Sequence, residues 1–402
     1  MSSRLRLLTA LLAGLLLSGC APGGGEDPAA RPDPAEPTTG ATQATEATEA
    51  TEATDAARES FVWRRQAPRR AGFSAAVLES LAAEAATTGS TCLLVARRGR
   101  IVGEWYWQDT DERTAQEVYS VTKSVTSTLV GLAQAEGLLD IDQPAAKQVR
   151  QWRGTASAGV TVRNLLANDS GREWSTESDY TGLIRARDRT AYAVGLEQQF
   201  EPGTTWAYNN AAIQTLDAVL STAAGKTTAE YASTRLFEPL GMDDTRMTGD
   251  AAGASTSTAF GLNSTCRDLA RFGTLFAQRG EWDGERVLPA AWVDEAVGAP
   301  SQGLNAAYGL LWWLNREGPL RGPLDQTDLT GSPEVVRVGR LAPGAPEDVF
   351  AAQGFGGQVV LVDPASETVV VRLGVPDLTG ETASYSFVDA ARVVTQARRG
   401  AR

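Results

Sequence analysis

The sequence predicts an α+β fold: an antiparallel sheet built from both ends of the chain, flanked by helices, with a mainly helical lobe inserted. Three observations predict it. Residues 92–96 and 101–107 are apolar runs joined by Arg97-Arg98-Gly99-Arg100, which is a hairpin pattern. Residues 359–362 and 368–373 repeat that pattern about the turn Asp363-Pro364-Ala365-Ser366. Between the two hairpins lie helical patterns and loops, so the natural way to pair the strands is across the chain ends.

Taken in order, residues 1–20 read as a processing segment. Arg4 and Arg6 form a basic start, and residues 7–17 form an apolar run too short to span a bilayer. The run ends Leu17-Ser18-Gly19-Cys20, which resembles the lipobox of bacterial lipoproteins. That resemblance implies lipidation at Cys20 and tethering to the outer, extracytoplasmic face of a bacterial cell membrane. An ordinary signal peptide or a chance leucine-rich start is the alternative. No later stretch is apolar enough for a membrane-spanning helix.

Residues 21–58 are of low complexity, with Gly23-Gly24-Gly25, several prolines and repeated Ala-Thr-Glu. A segment with so little to bury is expected to be a disordered linker. Its carboxylates supply part of the formal net charge of −12, which therefore says little about the folded body. No basic patch with interleaved aromatics appears, so no nucleic-acid partner is expected. From residue 60 to 402 the composition becomes globular, with enough apolar residues for a large core. Residues 73–86 and 386–397 read as helices that bracket this domain.

The chemistry centres on Ser120-Val121-Thr122-Lys123. Val121, Val125, Leu129 and Leu132 mark one stripe of a helix running to about Gly137. Residues three apart on a helix are neighbours, so the Lys123 amine can reach the Ser120 hydroxyl. A neutral amine can take the proton that makes serine a nucleophile. Lowering a lysine from about 10.4 to roughly 7–8 requires a differential of about 4 kcal/mol, which burial and positive neighbours can supply. The helix N-terminus would also favour a developing oxyanion. The composition sharpens this weak motif. Only Lys123, Lys147 and Lys226 are lysines, and the chain has no histidine. A Ser-His-Asp triad is therefore excluded, and arginine cannot replace lysine as a base.

Further segments follow in a fixed order. They are Val160-Thr161-Val162-Arg163-Asn164-Leu165-Leu166 through Ser170-Gly171, then Glu201-Pro202-Gly203-Thr204-Thr205-Trp206-Ala207-Tyr208-Asn209-Asn210. Phe237-Glu238-Pro239-Leu240-Gly241-Met242, residues 267–273 and Tyr308-Gly309-Leu310-Leu311-Trp312-Trp313 come after. With Ser120 and Lys123, these resemble the serine β-lactamase-related family over roughly residues 91–375. That family holds class C β-lactamases, D-Ala-D-Ala carboxypeptidases, esterases and 6-aminohexanoate-dimer hydrolases. The likeness implies a β-lactamase/transpeptidase-like fold, no cofactor and no metal. It further implies Ser120 as the acylated nucleophile, Lys123 as its base and Tyr208 as a proton relay. Asn210 would hydrogen-bond substrate or Lys123, or else cap a helix. Asn168-Asp169 stands where the family usually has His-Thr.

The third family motif, Lys-Thr-Gly or His-x-Gly, is missing. Its equivalent, residues 350–358, reads Phe-Ala-Ala-Gln-Gly-Phe-Gly-Gly-Gln and has no cation. A backbone N–H near Gln353 or Gly354 would pair with that of Ser120 as an oxyanion hole. The missing cation points away from substrates held by a carboxylate and toward small esters or amides. Trp312 and Trp313 fit either a substrate wall or the core.

Other signals carry no function. Ala224-Gly225-Lys226-Thr227 lacks the first glycine of a phosphate loop. No Gly-x-Ser-x-Gly elbow occurs, and zinc has too few ligands. Cys92 and Cys266 would be exported into an oxidising space, where they either bridge or stay as buried thiols.

The reading is an exported, lipid-anchored serine hydrolase acting on a small ester, amide or peptide. The alternatives are a penicillin-binding D-Ala carboxypeptidase, a β-lactamase, or a catalytically silent relative that binds peptide or peptidoglycan.

Overall fold

A seven-stranded sheet runs through the centre of the domain. Its strands are β1 (Arg64–Arg65), β2 (Ser90–Arg97), β3 (Arg100–Tyr106), β4 (Trp313–Leu314), β5 (Phe350–Gly354), β6 (Gln358–Asp363) and β7 (Thr368–Gly374). They lie in the order β1-β3-β2-β7-β6-β5-β4. This is a computed structural model, and it describes residues 61–251, 253, 255–324 and 337–398. The signal segment expected at 1–20, Cys20 and the linker expected at 21–58 lie outside the described residues.

The two ends of the chain meet where β2 pairs antiparallel with β7, Val95 opposite Val370. Every neighbouring pair is antiparallel except β1 with β3. The parallel β1 departs from the antiparallel sheet expected from the hairpins, because a two-residue strand from the N-terminal side carries no alternation to read. In the β2–β3 turn, Arg98 and Gly99 both take positive φ, +50° and +65°. That geometry matches the twist of the hairpin it joins.

β2, β6 and β7 are buried along nearly their whole length, because helices cover both faces of the sheet. On one face lies α1 (Ala75–Ala86), which starts at the Ser74 cap. The helical lobe follows in sequence, with α2 (Val121–Ala135) and α3 (Asn210–Ala224) packed together. On the opposite face of the sheet lies α4 (Cys266–Ala277). Joining α1 is α5 (Phe387–Arg392), which opens on a Ser386/Asp389 capping box and continues as a wider turn through Ala397.

Leu78, Leu81 and Ala85 of α1 and Phe387 and Ala390 of α5 share one core cluster with Leu93, Val95, Leu361 and Val370. On the other side Gly273 brings α4 close to the strands: a Cβ there would sit 2.5 Å from Val369 Cγ1. Cys92 of β2 and Cys266, the first residue of α4, are joined by a disulfide with Cα atoms 6.5 Å apart. The sequence left that pair as a bridge or two thiols; the structure has the bridge.

α2 is buried on almost every side although it is rich in hydroxyls. Most of those hydroxyls are satisfied, Ser127 Oγ being the exception. Ser124 donates to the Leu311 carbonyl (2.8 Å), Thr126 to Thr258 (2.8 Å) and Thr128 to Ser124 (2.9 Å). The helix is thereby pinned to the loops that surround the site.

Candidate active site

Ser120 occupies the cap position of α2, and its backbone N–H has no acceptor within the helix. The preceding Tyr119 adopts φ +49°, a left-handed conformation that a non-glycine residue holds only when its surroundings force it. Nothing in the sequence signals that turn. One turn along, Lys123 is 1 % exposed, with Nζ 2.8 Å from Ser120 Oγ and 2.7 Å from the Ala259 carbonyl it donates to.

Burial pushes the Lys123 amine down to about 7, and the Asp179 carboxylate pulls in the opposite direction. The sequence argument allowed for positive neighbours as well. Desolvation is the cause that acts, and the charged neighbour is an acid. A neutral Nζ can donate to Ala259 while its lone pair faces the serine hydroxyl. That is the arrangement a general base requires.

Tyr208 faces this pair. Its ring centre lies 4.8 Å from Lys123 Nζ, and the Ser120 side chain is a hydrogen-bond partner of its phenol. The ring stacks on Trp313 at 5.7 Å and meets Tyr308 edge-on at 6.0 Å. Its backbone is held on both sides. Ala207 N–H donates to the Asn168 carbonyl (3.0 Å), Asn209 N–H to the Asn168 side chain (3.3 Å), and the Trp174 indole to the Tyr208 carbonyl (2.9 Å). Asn168, in the pair where the family usually has His-Thr, is therefore the brace of the Tyr208 segment. Burial raises the Tyr208 phenol far above its ordinary value, so it keeps its proton at neutral pH.

Asn210 is the first residue of α3, not its cap. The cap is Asn209, whose side chain accepts from Ala212 N–H at 2.8 Å. The Asn210 amide donates to Asp179 at 2.7 Å, and Ala211 N–H donates to the other oxygen of that carboxylate at 2.7 Å. The cap reading of Asn210 thus belongs to its neighbour, a one-residue ambiguity that two adjacent asparagines cannot resolve. Asp179 sits in the buried turn Ser178–Gly182, and burial raises its carboxyl well above the usual range. Sequence reasoning missed it, since a lone Ser-Asp-Tyr carries no pattern.

The remaining wall is the end of β5. A Cβ on Gly354 would lie 2.3 Å from the Val118 carbonyl, so only glycine lets this strand reach the segment that leads into Ser120. β4 covers the edge of β5 at Phe350 and Ala351 and then stops. Asn315 N–H donates to the Val349 carbonyl (3.1 Å), so Val349 faces β4. By the alternation of antiparallel strands Ala351 and Gln353 face the same way, while Gly354 faces β6. Of the two expected donors, Gln353 turns its N–H to the open edge.

The two tryptophans divide. Trp313 backs Tyr208, while Trp312 is fully buried among Phe272, Phe276 and Phe350. Lys226 and Thr227 lie past the end of α3, where Thr227 caps the following helix. Among the described residues no group of three or more His, Cys, Asp or Glu is placed to hold a metal, and no helix is long and apolar enough to cross a membrane.

Comparison with known proteins agrees with this geometry. The model of the Beta-lactamase family matches residues 75–374. A 6-aminohexanoate-dimer hydrolase of Paenarthrobacter ureafaciens is 24 % identical over 315 residues, covering 71 % of this chain and 72 % of the relative. Esterase EstB of Burkholderia gladioli is 28 % identical over 155 residues, 33 % of this chain and 38 % of its own. Among solved structures, a penicillin-binding protein homolog of Caulobacter crescentus superposes with TM-score 0.61 at 15 % identity, covering 85 % of this chain and 99 % of that one. A family VIII carboxylesterase gives TM-score 0.61 at 17 % identity, covering 83 % and 98 %. The chain belongs to the Beta-lactamase family and is a serine hydrolase.

Proposed function

We propose that this protein is an exported, lipid-anchored hydrolase that works through an acyl-enzyme on small esters and uncharged amides, with Ser120 as nucleophile. The observation that carries the reading is the 2.8 Å approach of Lys123 Nζ to Ser120 Oγ in a buried pocket that favours the neutral amine. Lys123 takes the hydroxyl proton as Oγ bonds to the substrate carbonyl carbon. The N–H groups of Ser120 and Gln353 hold the oxyanion. Tyr208, kept protonated by burial, donates to the leaving oxygen or nitrogen and is reprotonated from Lys123. Water then gives a proton to the same relay and its oxygen to the acyl carbon; the acyl–Oγ bond breaks as the relay returns that proton to Ser120 Oγ, releasing the acid. Asn210 acts indirectly, by holding Asp179.

The substrate class follows from the third wall. Residues 351–358 carry no cation. Arg372, on the neighbouring hairpin, spends its donors on carbonyls and hydroxyls. A charge-assisted bond to a substrate carboxylate typically contributes about 1.5–3 kcal/mol, or roughly one to two decades in kcat/KM. Short esters and uncharged amides should therefore be turned over well and penicillins poorly. Both are assayed on one preparation with Ser120→Ala as blank. Efficient penicillin or D-Ala-D-Ala turnover with negligible ester hydrolysis overturns this substrate class.

The membrane anchor rests on Leu17-Ser18-Gly19-Cys20. Cys20→Ala should block lipidation, leaving an uncleaved precursor or releasing protein to the medium. Unchanged fractionation and migration of that variant contradict the anchor. Stable anchoring needs more than one acyl chain, since a single chain binds only marginally.

A further inference from the structure

Among the described residues Arg372 is the largest charged side chain with no exposure, and none of its described hydrogen-bond partners is a carboxylate. It stands in β7 opposite Val359 of β6, which in turn stands opposite Gln353 of β5. From there its guanidinium reaches the turn that closes the β5–β6 hairpin. Nη1 donates to the carbonyls of Gly356 (2.7 Å) and Gly357 (3.0 Å). Nε donates to Ser90 Oγ (2.7 Å) and Nη2 to the Thr88 carbonyl (2.6 Å), anchoring the group to the start of β2.

A second buried side chain holds the same turn. Gln358 Nε2 donates to the carbonyls of Phe355 (3.1 Å) and Gly374 (2.8 Å), and its Oε1 accepts from Gly374 N–H (2.9 Å). All three carbonyls of the turn, at 355, 356 and 357, are thus fastened from behind. Gly356 and Gly357 take φ +75° and +78° to present them. In front, the Phe355 ring meets Tyr119 edge-on at 5.7 Å, directly before Ser120.

Burying a guanidinium without a carboxylate is costly unless its donors are fixed by something the fold needs. What it fixes here is the free end of β5, which β4 leaves uncovered beyond Ala351. We propose that Arg372, with Gln358, is a positioning residue for catalysis: it clamps the 355–357 turn so that Gln353 N–H and the Phe355–Tyr119 contact are held in register with Ser120. Arg372 touches no substrate. The inference rests on Ser120 as the acylated residue and Gln353 as an oxyanion donor.

The test uses Arg372→Lys, which keeps the charge but loses the fork, and Gln358→Met, which keeps the cation but releases Phe355. Fluorophosphonate labelling carried to completion counts folded, competent sites in each protein. Ester kinetics are then expressed per labelled site. A misplacement of about 1 Å at a reacting centre costs up to roughly a hundredfold, so kcat per site should fall about tenfold or more. KM should stay within about threefold and the pH midpoint of wild type should be kept, because Lys123 is untouched. A role in folding alone would lower the number of labelled sites without changing kcat per site, and that result in both variants overturns the inference. If Arg372→Lys does not fold, the Gln358→Met kcat decides by itself. Wild type that takes no label on Ser120 overturns the underlying reading and the inference together.

Discussion

Lys123 Nζ lies 4.8 Å from the centre of the Tyr208 ring, so the amine and the phenol share one buried space beside Ser120. The ring's packing against Trp313 and Tyr308 does not involve its hydroxyl. Tyr208→Phe should therefore leave stability within about 1 kcal/mol yet cut kcat by roughly 10²–10⁴, the range typical of proton transfer. Ester kinetics and thermal unfolding of the same variant check this. A fall in thermal midpoint with kcat unchanged would assign Tyr208 to packing alone.

The pH dependence follows from the buried amine. Lys123 acts as a base only when neutral, and burial brings it down to about 7. Activity should rise with pH through about 7 and level off by about 9, where an ordinary lysine would still be protonated. The stability sign is set by the same shift. Between the folded value and the unfolded one near 10.5 the unfolded chain binds the extra proton, so this group's contribution rises with pH across that window and is lost below it. Asp179 raises the amine's pKa, so Asp179→Asn should move the activity midpoint down in pH. A midpoint moving upward would show that Asp179 does not act on Lys123. Lys123→Arg, which cannot be deprotonated, should abolish turnover.

The adjacent tryptophans should separate stability from activity. Trp312 packs against Phe272, Phe276 and Phe350, and Trp312→Ala should cost about 3–5 kcal/mol. Trp313→Leu removes the plane on which Tyr208 rests and should lower kcat per folded site more than Trp312→Leu does. Chemical denaturation and active-site titration on both proteins make the comparison.

The fold was legible where the pattern was long. Both hairpins, α1, α2 and α5 fall within a few residues of their expected bounds, because apolar period and turn residues agree there. β1 and β4 were not legible, being two residues each and defined only by their partners. In the site, Ser120 and Lys123 lie on one helix, so three-residue spacing sufficed. Asp179 reaches Asn210 from 31 residues away, a contact that only the tertiary fold creates. The outward N–H of Gln353 depends on strand register, which the glycine-rich run from 354 to 357 left ambiguous by a residue or two.

The Cys92–Cys266 bridge ties β2 to the start of α4 across a sequence separation of 174 residues. A native disulfide contributes typically about 2–4 kcal/mol, mostly by restricting the unfolded chain. Cys92→Ser with Cys266→Ser should lower the thermal midpoint while leaving kcat near wild type, since neither sulfur touches the site. Equal midpoints with and without reductant would contradict a bridge that persists in the folded protein.

The most direct test of the account is intact-protein mass spectrometry after treatment with a fluorophosphonate. Wild type should gain one adduct per chain, mapped by proteolysis to Ser120, faster above pH 8 than below pH 6. Ser120→Ala should gain none. An unlabelled wild type, or an equal adduct on Ser120→Ala, contradicts the assignment of Ser120 as the nucleophile that Lys123 activates.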